Sequence, residues 1–459
     1  MTLENIKNIF FIGIGGIGMS ALARYFLFQG KNVGGYDKTP SILTKELEKE
    51  GANIHYNDSL ASIPASFKNK EETLIIYTPA ISTDHKEFQY FQSNHFQIKK
   101  RAEVLGLITQ SSKGLCIAGT HGKTTTSTML AHILHQSHID CNAFLGGISK
   151  NYNTNLLLSS TSQYSVIEAD EYDRSFHWLT PYIAVITSAE PDHLDIYGSE
   201  ACYMESFEKF TSLIQPNGTL LLREGLSIKP KVQKGVKIYT YSINKGDYYA
   251  ENILIENGEI IFDFITPNER IKEVKLGVPI AINIENSIAA MAVALLTGAT
   301  QEEVKKGIKS YKGVDRRFDF QIKTPNLVFL NDYAHHPAEV KQSIASIRQL
   351  YPERKITGVF QPHLYSRTQS FYREFAKSLS LLDRVILLDI YPAREQPIMG
   401  VSSQLIYDEL DSSVEKRLIK KDELLHIIED ESIEVLITLG AGDINTFVPF
   451  IKNILLKKL

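Results

Sequence analysis

The sequence predicts an α/β protein of three domains, and three observations carry that prediction. Apolar runs of strand length recur along the chain, each followed by apolar residues at helical spacing. Such alternation is how a parallel sheet covered on both faces by helices reads in sequence. Glycine-rich stretches occupy two of the strand-to-helix junctions, at 13–18 and 119–124. Finally, 459 residues are more than one ordinary core organises.

The first block, 1–107, opens with a strand at 8–12, a glycine turn and a helix from Met19 to about Gln29. Tyr36-Asp37 ends a second strand, and 74–77 is a third. Strand, G-x-G-x-x-G and helix in that order make this block Rossmann-like. The second block, 108–312, has a buried strand at 115–118 leading into the second glycine loop. A helix follows, with Met129, Leu130, Ile133 and Leu134 on one face. Buried strands follow at 165–167 and 183–186, completing a phosphate-loop domain with a parallel sheet. Asn-Gly and Gly-Glu turns among β-branched runs at 217–275 suggest hairpins, a small β-rich part, before a helix at about 284–296. The third block, 313–459, is again Rossmann-like, with strands expected at 327–330, 356–360, 385–388 and 435–438.

Composition narrows the partners. With 43 % hydrophobic and 22 % charged residues, the chain has the make-up of a soluble globular protein. A formal net charge of -4 gives no basic footprint for nucleic acid and no polybasic membrane patch, so small molecules are the expected partners. Cys116, Cys141 and Cys202 are odd in number and widely spaced, which argues against a disulfide framework or a zinc set and for a reducing compartment. The apolar stretch 9–23 ends in Ala21-Leu22-Ala23 like a signal-peptide cleavage site. Four glycines interrupt it, however, and Glu4 stands where a basic region belongs. A cytoplasmic location is expected.

The loop Gly119-Thr120-His121-Gly122-Lys123-Thr124 can close backbone N–H groups around phosphate oxygens, at the positive end of the following helix. Lys123 would then hold a transferring phosphate and the Thr124 hydroxyl would ligate Mg²⁺. Ile117 occupies the place of the first glycine in the full motif, so the loop is a shortened one. Glu168-Ala169-Asp170-Glu171 follows the next strand, where phosphate-loop enzymes carry a metal ligand, and Asp192-His193 follows the one after. Lying opposite the phosphate loop, this acidic cluster is a candidate metal site, and His193 can reach the same crevice. Gly13-Ile14-Gly15-Gly16-Ile17-Gly18, with Asp37 19 residues later, is the dinucleotide fingerprint. Beside an ATP loop it reads as the cradle of a nucleotide-linked substrate's diphosphate. Zinc at His335-His336 lacks spaced partners. Arg316-Arg317 and Arg367 are candidate anion clamps.

Taken in order, these stretches resemble the Mur ligase family, the ATP-dependent amide-forming enzymes of peptidoglycan synthesis. The resemblance also covers Thr125-Thr126, Asn283 with Asn286, Arg316-Arg317-Phe318-Asp319, Asp332-Tyr333-Ala334-His335-His336-Pro337 and Phe360-Gln361-Pro362-His363. It implies ATP and Mg²⁺ as cofactors, UDP-N-acetylmuramate and L-alanine as substrates, and an acyl phosphate intermediate in a monomer or homodimer. Gly119 to Thr125, Asn283, Asn286, Arg317 and Asp332 would contact ATP, Thr124, Glu168 and His193 would ligate the metal, and Lys123, Glu168, His193 and Arg317 would be catalytic. Gly15, Gly16, Ile17, Gly18, Met19, Ser20 and Asp37 would hold the nucleotide sugar. Tyr333, His335, His363 and Arg367 would face the muramyl and alanine end, and the third domain would close over ATP. The alternative within the family is the ligase that reattaches a recycled murein tripeptide to the same sugar. Two positions depart from the family pattern: Ile282 stands in place of a histidine, and Leu364 in place of an arginine.

Overall fold

Strand Asn8–Ile12 lies at the centre of a five-stranded sheet because its residues are buried on both faces, four of them apolar and Asn8 hydrogen-bonded to Asn32. The sheet order is Asn53–His55, Asn32–Tyr36, Asn8–Ile12, Thr73–Tyr77, Gln97–Lys100, and every pair is parallel. The computed structural model describes residues 6–459 except 79, 80, 83, 192, 193, 257 and 394, and only the backbone of 194 and 195. Strand order reverses on either side of Asn8–Ile12, so the chain after Ile12 emerges at a topological switch point, the place where open α/β sheets bind ligands. The helix Ile17–Phe28 begins two residues earlier than its apolar spacing predicts. Gly16, which is extended, precedes it, so Ile17 and Gly18 belong to its first turn.

A seven-stranded sheet follows in the order Lys237–Tyr241, Thr219–Arg223, Pro181–Ile186, Lys113–Ala118, Tyr164–Glu168, Asn142–Ser149, Thr154–Leu157. Only its last pair is antiparallel. Lys113–Ala118 is again flanked on both sides, which places the loop after Ala118 at a second switch point. The expected hairpins are only partly found. Thr219–Arg223 and Lys237–Tyr241 extend the parallel sheet, whereas Tyr249–Glu256, Glu259–Ile265 and Arg270–Lys275 form the small separate sheet. Alternation within a β-branched run reports a half-buried strand but says nothing about the direction of its partner.

By its contacts the chain divides into two compact units. One comprises Met1–Asn252, Phe262–Gly277 and Ile284–Lys312; the other comprises Ile253–Ile261, Val278–Asn283 and Gly313–Leu459. In the first unit a single apolar cluster takes in Met19, Leu22 and Phe26 of the N-terminal helix together with Phe144, Leu156 and Ile167 of the second sheet. That shared core merges two sheets into one body. The second unit holds a six-stranded sheet ordered Asp319–Lys323, Val328–Asp332, Val435–Leu439, Ile356–Phe360, Arg384–Leu387, Glu415–Leu418, antiparallel only at its first pair. Its two edge strands carry charges rather than apolar runs, which protects the edges and hides them from a hydrophobicity reading.

One buried histidine tunes this fold to pH. His132 is 3 % exposed; its Nδ1 lies 2.8 Å from the Tyr152 hydroxyl and its Nε2 2.9 Å from Ser310 Oγ. Burial, reinforced by His135 and Lys312, lowers its pKa to about 4. Because the folded pKa lies below the unfolded value of 6.5, the stability is fully present above pH 6.5 and is lost as pH falls toward 4. Urea unfolding between pH 7 and 4 should cost the native protein on the order of 2–3 kcal/mol more than it costs His132→Gln. Parallel curves would remove His132 from the account.

Candidate active site

The turn after Ala118 depends on two glycines. Gly119 has φ +139°, and a Cβ there would stand 2.2 Å from Thr187 Oγ1 and 2.8 Å from the Ser188 amide nitrogen. Gly122 has φ +83°, and its missing Cβ would meet Asn286 Oδ1 at 2.8 Å. The turn therefore lies flat against residues 187–188 and helix Ala281–Leu296. Ser188 O accepts from the Thr120 amide at 3.3 Å and Ser188 Oγ from that of His121 at 2.7 Å. Thr120 Oγ1 donates to Glu190 O at 2.7 Å. The helix Lys123–His135 starts at once, so its first amides have no intrahelical acceptor and form the positive end of the dipole.

Lys123 Nζ lies at the mouth of this turn, 2.7 Å from Gly119 O, 3.3 Å from Thr120 O and 2.9 and 2.7 Å from the two carboxylate oxygens of Glu171. Glu171 is 3 % exposed; burial raises its pKa and Lys123 opposes that rise. Next to Lys123, Thr124 Oγ1 donates to Glu168 Oε1 at 3.0 Å, and the Gly146 amide donates to Glu168 Oε2 at 3.2 Å. Thr125 follows, partly exposed on the same turn, and Thr126 Oγ1 donates to Asn286 Oδ1 at 3.3 Å. A carboxylate and a hydroxyl are the hard oxygen donors that suit Mg²⁺, which ordinarily keeps several waters and phosphate oxygens. Consistent with such a sparse set, no group of three His, Cys, Asp or Glu side chains that could hold a metal occurs among the described residues. His193 lies outside the described residues.

Across the cleft is the first glycine loop. The Gly15 amide donates to Asp37 Oδ2 at 2.7 Å, so Asp37 braces the loop from within. Ser20 is buried, and Gly16, Ile17, Gly18 and the buried Met19 form the cleft-facing part. Between the loop and Glu168 is a cavity of about 320 Å³, lined by Gly16 to Met19, Arg101, Gly146, Glu168 and Asp170. Arg101 Nη2 donates to Asp170 Oδ2 at 3.1 Å, and a Cβ on Gly18 would lie 2.6 Å from Arg101 Nη1. Sequence reasoning missed Arg101, Gly146 and the separate role of Glu171. The run Lys99-Lys100-Arg101 at a strand end was the available signal for the first.

In the second unit the predicted residues again converge. The Tyr333 ring lies 4.6 Å from the Arg316 guanidinium and 5.3 Å from that of Arg317. His335 and His363 rings are 6.1 Å apart, and Arg367 Nη1 is 3.3 Å from His363 Nδ1. Burial, then Arg367 and His335, lower the His363 pKa to about 4, and burial lowers that of His335 as well. Asp332 is buried, bonded to Ser343 Oγ and the Ala334 amide, and burial raises its pKa. Asn283 is also buried and donates to Val278 O at 3.1 Å. Ile282, the first departure, is 39 % exposed. Leu364, the second, has φ +73° at the start of helix Tyr365–Leu379, a strained conformation for leucine.

Comparison with known proteins follows this geometry. Three family models match consecutive parts of the chain: "Mur ligase family, catalytic domain" over 8–113, "Mur ligase middle domain" over 117–294 and "Mur ligase, glutamate ligase domain" over 316–444. A UDP-N-acetylmuramate–L-alanine ligase of Phocaeicola vulgatus is 62 % identical over the full length of both chains. That of Parabacteroides distasonis is 59 % identical over 100 % of this chain and 99 % of its own. Among solved structures, the UDP-N-acetylmuramate–alanine ligase of Thermotoga maritima superposes with a TM-score of 0.80 at 27 % identity, over 98 % of each chain. A murein peptide ligase of Psychrobacter arcticus, at 20 % identity and a TM-score of 0.66 over 98 % of each chain, shares the fold.

Substituting Gly119→Ala should lower the free energy of unfolding by about 2–3 kcal/mol, from strain and the clash with Thr187 together. A loss below about 0.5 kcal/mol in urea titration would mean that the turn is free to relax.

Proposed function

The chain belongs to the Mur ligase family, and from that membership we infer that it joins L-alanine to the carboxylate of UDP-N-acetylmuramate, converting ATP to ADP and phosphate. The observation that carries this reading is full-length identity of 62 and 59 % to two ligases named for L-alanine. The murein peptide ligase supports the fold alone at its lower identity, so the tripeptide reading is the weaker one.

In this reading the sugar carboxylate attacks the γ-phosphate of ATP to give an acyl phosphate. The alanine amine then attacks the acyl carbon and phosphate leaves. Catalysis is positioning and charge neutralisation. Gly119 to Thr125 wrap the phosphates, and Lys123 turns its ammonium from Glu171 toward the transferring group. Mg²⁺ would be held by Thr124, Glu168 and His193 and would supply further positive charge. Asn283 and Asn286 are assigned to adenine, and Arg317 and Asp332 to the ribose and triphosphate side. Gly15 to Ser20, braced by Asp37, hold the sugar's diphosphate, with Arg101 as an added cation. Tyr333, His335, His363 and Arg367 face the muramyl and alanine end. His335 and His363, held neutral by burial, can accept hydrogen bonds from the alanine ammonium, but their lowered basicity suits them poorly to take its proton.

Residues 1–107 are assigned to UDP-sugar binding, 108–312 to ATP binding and 313–459 to the C-terminal ligase domain. No helix among the described residues is long and apolar enough to cross a membrane, and we place the reaction in the cytoplasm, in a monomer or homodimer.

ADP release should require both UDP-N-acetylmuramate and L-alanine and should fall at least about a hundredfold in Lys123→Ala, roughly 2.7 kcal/mol of barrier. Turnover with the tripeptide and none with alanine would establish the recycling reading instead. Arg101→Ala should raise the KM for the nucleotide sugar about tenfold while leaving that for ATP unchanged.

A further inference from the structure

Asn155 belongs to no motif, yet it is fully buried where two parts of the first unit meet. It sits on the outer strand Thr154–Leu157, beside Asn142–Ser149. Its amide nitrogen bonds the first glycine loop and its amide oxygen bonds Arg24 of the helix that follows. Nδ2 donates to the Ile17 carbonyl and to Ser20 Oγ at 3.1 Å, and Ser20 Oγ in turn donates to Ile17 O at 2.9 Å. Oδ1 accepts from Arg24 Nη1 at 2.9 Å, and Arg24 is itself held by Glu46 at 2.7 Å and Glu50 at 3.0 Å. The Arg24 contact fixes which end of the amide is oxygen, so both N–H groups face the first turn of helix Ile17–Phe28.

The other strand of the same hairpin reaches the opposite wall of the cleft. The Gly146 amide donates to Glu168 Oε2 at 3.2 Å, and a Cβ on Gly146 would lie 2.3 Å from that oxygen. One hairpin thus grips the sugar loop at Asn155 and the phosphate-side carboxylate at Gly146. The cavity of about 320 Å³ lies between these two attachments. In-line transfer needs the attacking carboxylate within about 3–3.5 Å of the phosphorus, a tolerance that an ångström of drift in either wall would exceed.

We propose that Asn155 is a positioning residue which, through the hairpin 142–157, sets the distance between the nucleotide-sugar loop and the Glu168–Thr124 pair. This rests on the ligase reading above. An asparagine that merely packs would affect melting alone. A positioning residue splits the kinetic constants, because ATP binds on the far wall and does not depend on the Ile17 turn.

The test compares the wild type with Asn155→Asp, which keeps the shape and the Arg24 contact but replaces both N–H donors with an oxygen facing the Ile17 carbonyl. Nucleotide-sugar binding is measured by calorimetry, and turnover with ATP and L-alanine. The KM for the sugar should rise and kcat fall, each about tenfold, with the KM for ATP within about twofold. Arg24→Met, which frees the amide to turn, should show the same split more weakly and serves if Asn155→Asp does not fold. A lowered melting temperature with unchanged kcat and sugar KM would overturn the proposal. Failure of the unsubstituted protein to bind the nucleotide sugar would instead overturn the ligase reading beneath it.

Discussion

Contact of the Gly119 turn with residues 187–188 is the constraint on which the rest of the site depends. Without a side chain at Gly119, the turn settles against Thr187 and Ser188, and two oxygens of Ser188 take up two of its amides. The helix that follows can then start at Lys123 with its amides directed into the cleft. Were the turn a residue longer or lifted off the sheet, neither Lys123 nor Thr124 would reach the carboxylates at the end of Tyr164–Glu168. A parallel sheet makes this possible because it delivers successive strand ends to one edge.

The carboxylates at that edge are alike in sequence but not in environment. Glu168 bonds the Thr124 hydroxyl and a backbone amide, which leaves it suited to a hard cation. Asp170, two residues on, lines the same cavity but pairs with Arg101. Glu171 is buried and neutralised by Lys123, an arrangement that stores the ammonium in place until an anion competes for it. Three acids in four residues therefore do three different jobs, decided by burial and partner rather than by residue type.

Much of this was legible in the sequence for a definite physical reason. Residues 115–118 and 9–12 are buried on both faces, so they read as continuous apolar runs, and the glycines after them are required by backbone geometry. Edge strands were not legible: Asp319–Lys323 and Glu415–Leu418 carry charges because one side of each is exposed to water. Hairpin signals at 219–241 misled for a related reason, since a strand's own residues do not record whether its neighbour runs parallel. Arg101 and Asn155 escaped because each acts through a partner more than 60 residues away.

By itself, then, the sequence determined which segments form the two glycine loops, which cation and hydroxyl open the helix after the second, and which acids lie near them. These follow from local rules: φ values only glycine tolerates freely, helix starts that favour anions, and strand ends that share an edge. Tertiary structure alone decided which acid faces Lys123, which arginine lines the cleft, and that one hairpin ties the first glycine loop to Glu168. Such choices depend on contacts between residues distant in the chain, and packing fixes those distances where no local periodicity can express them.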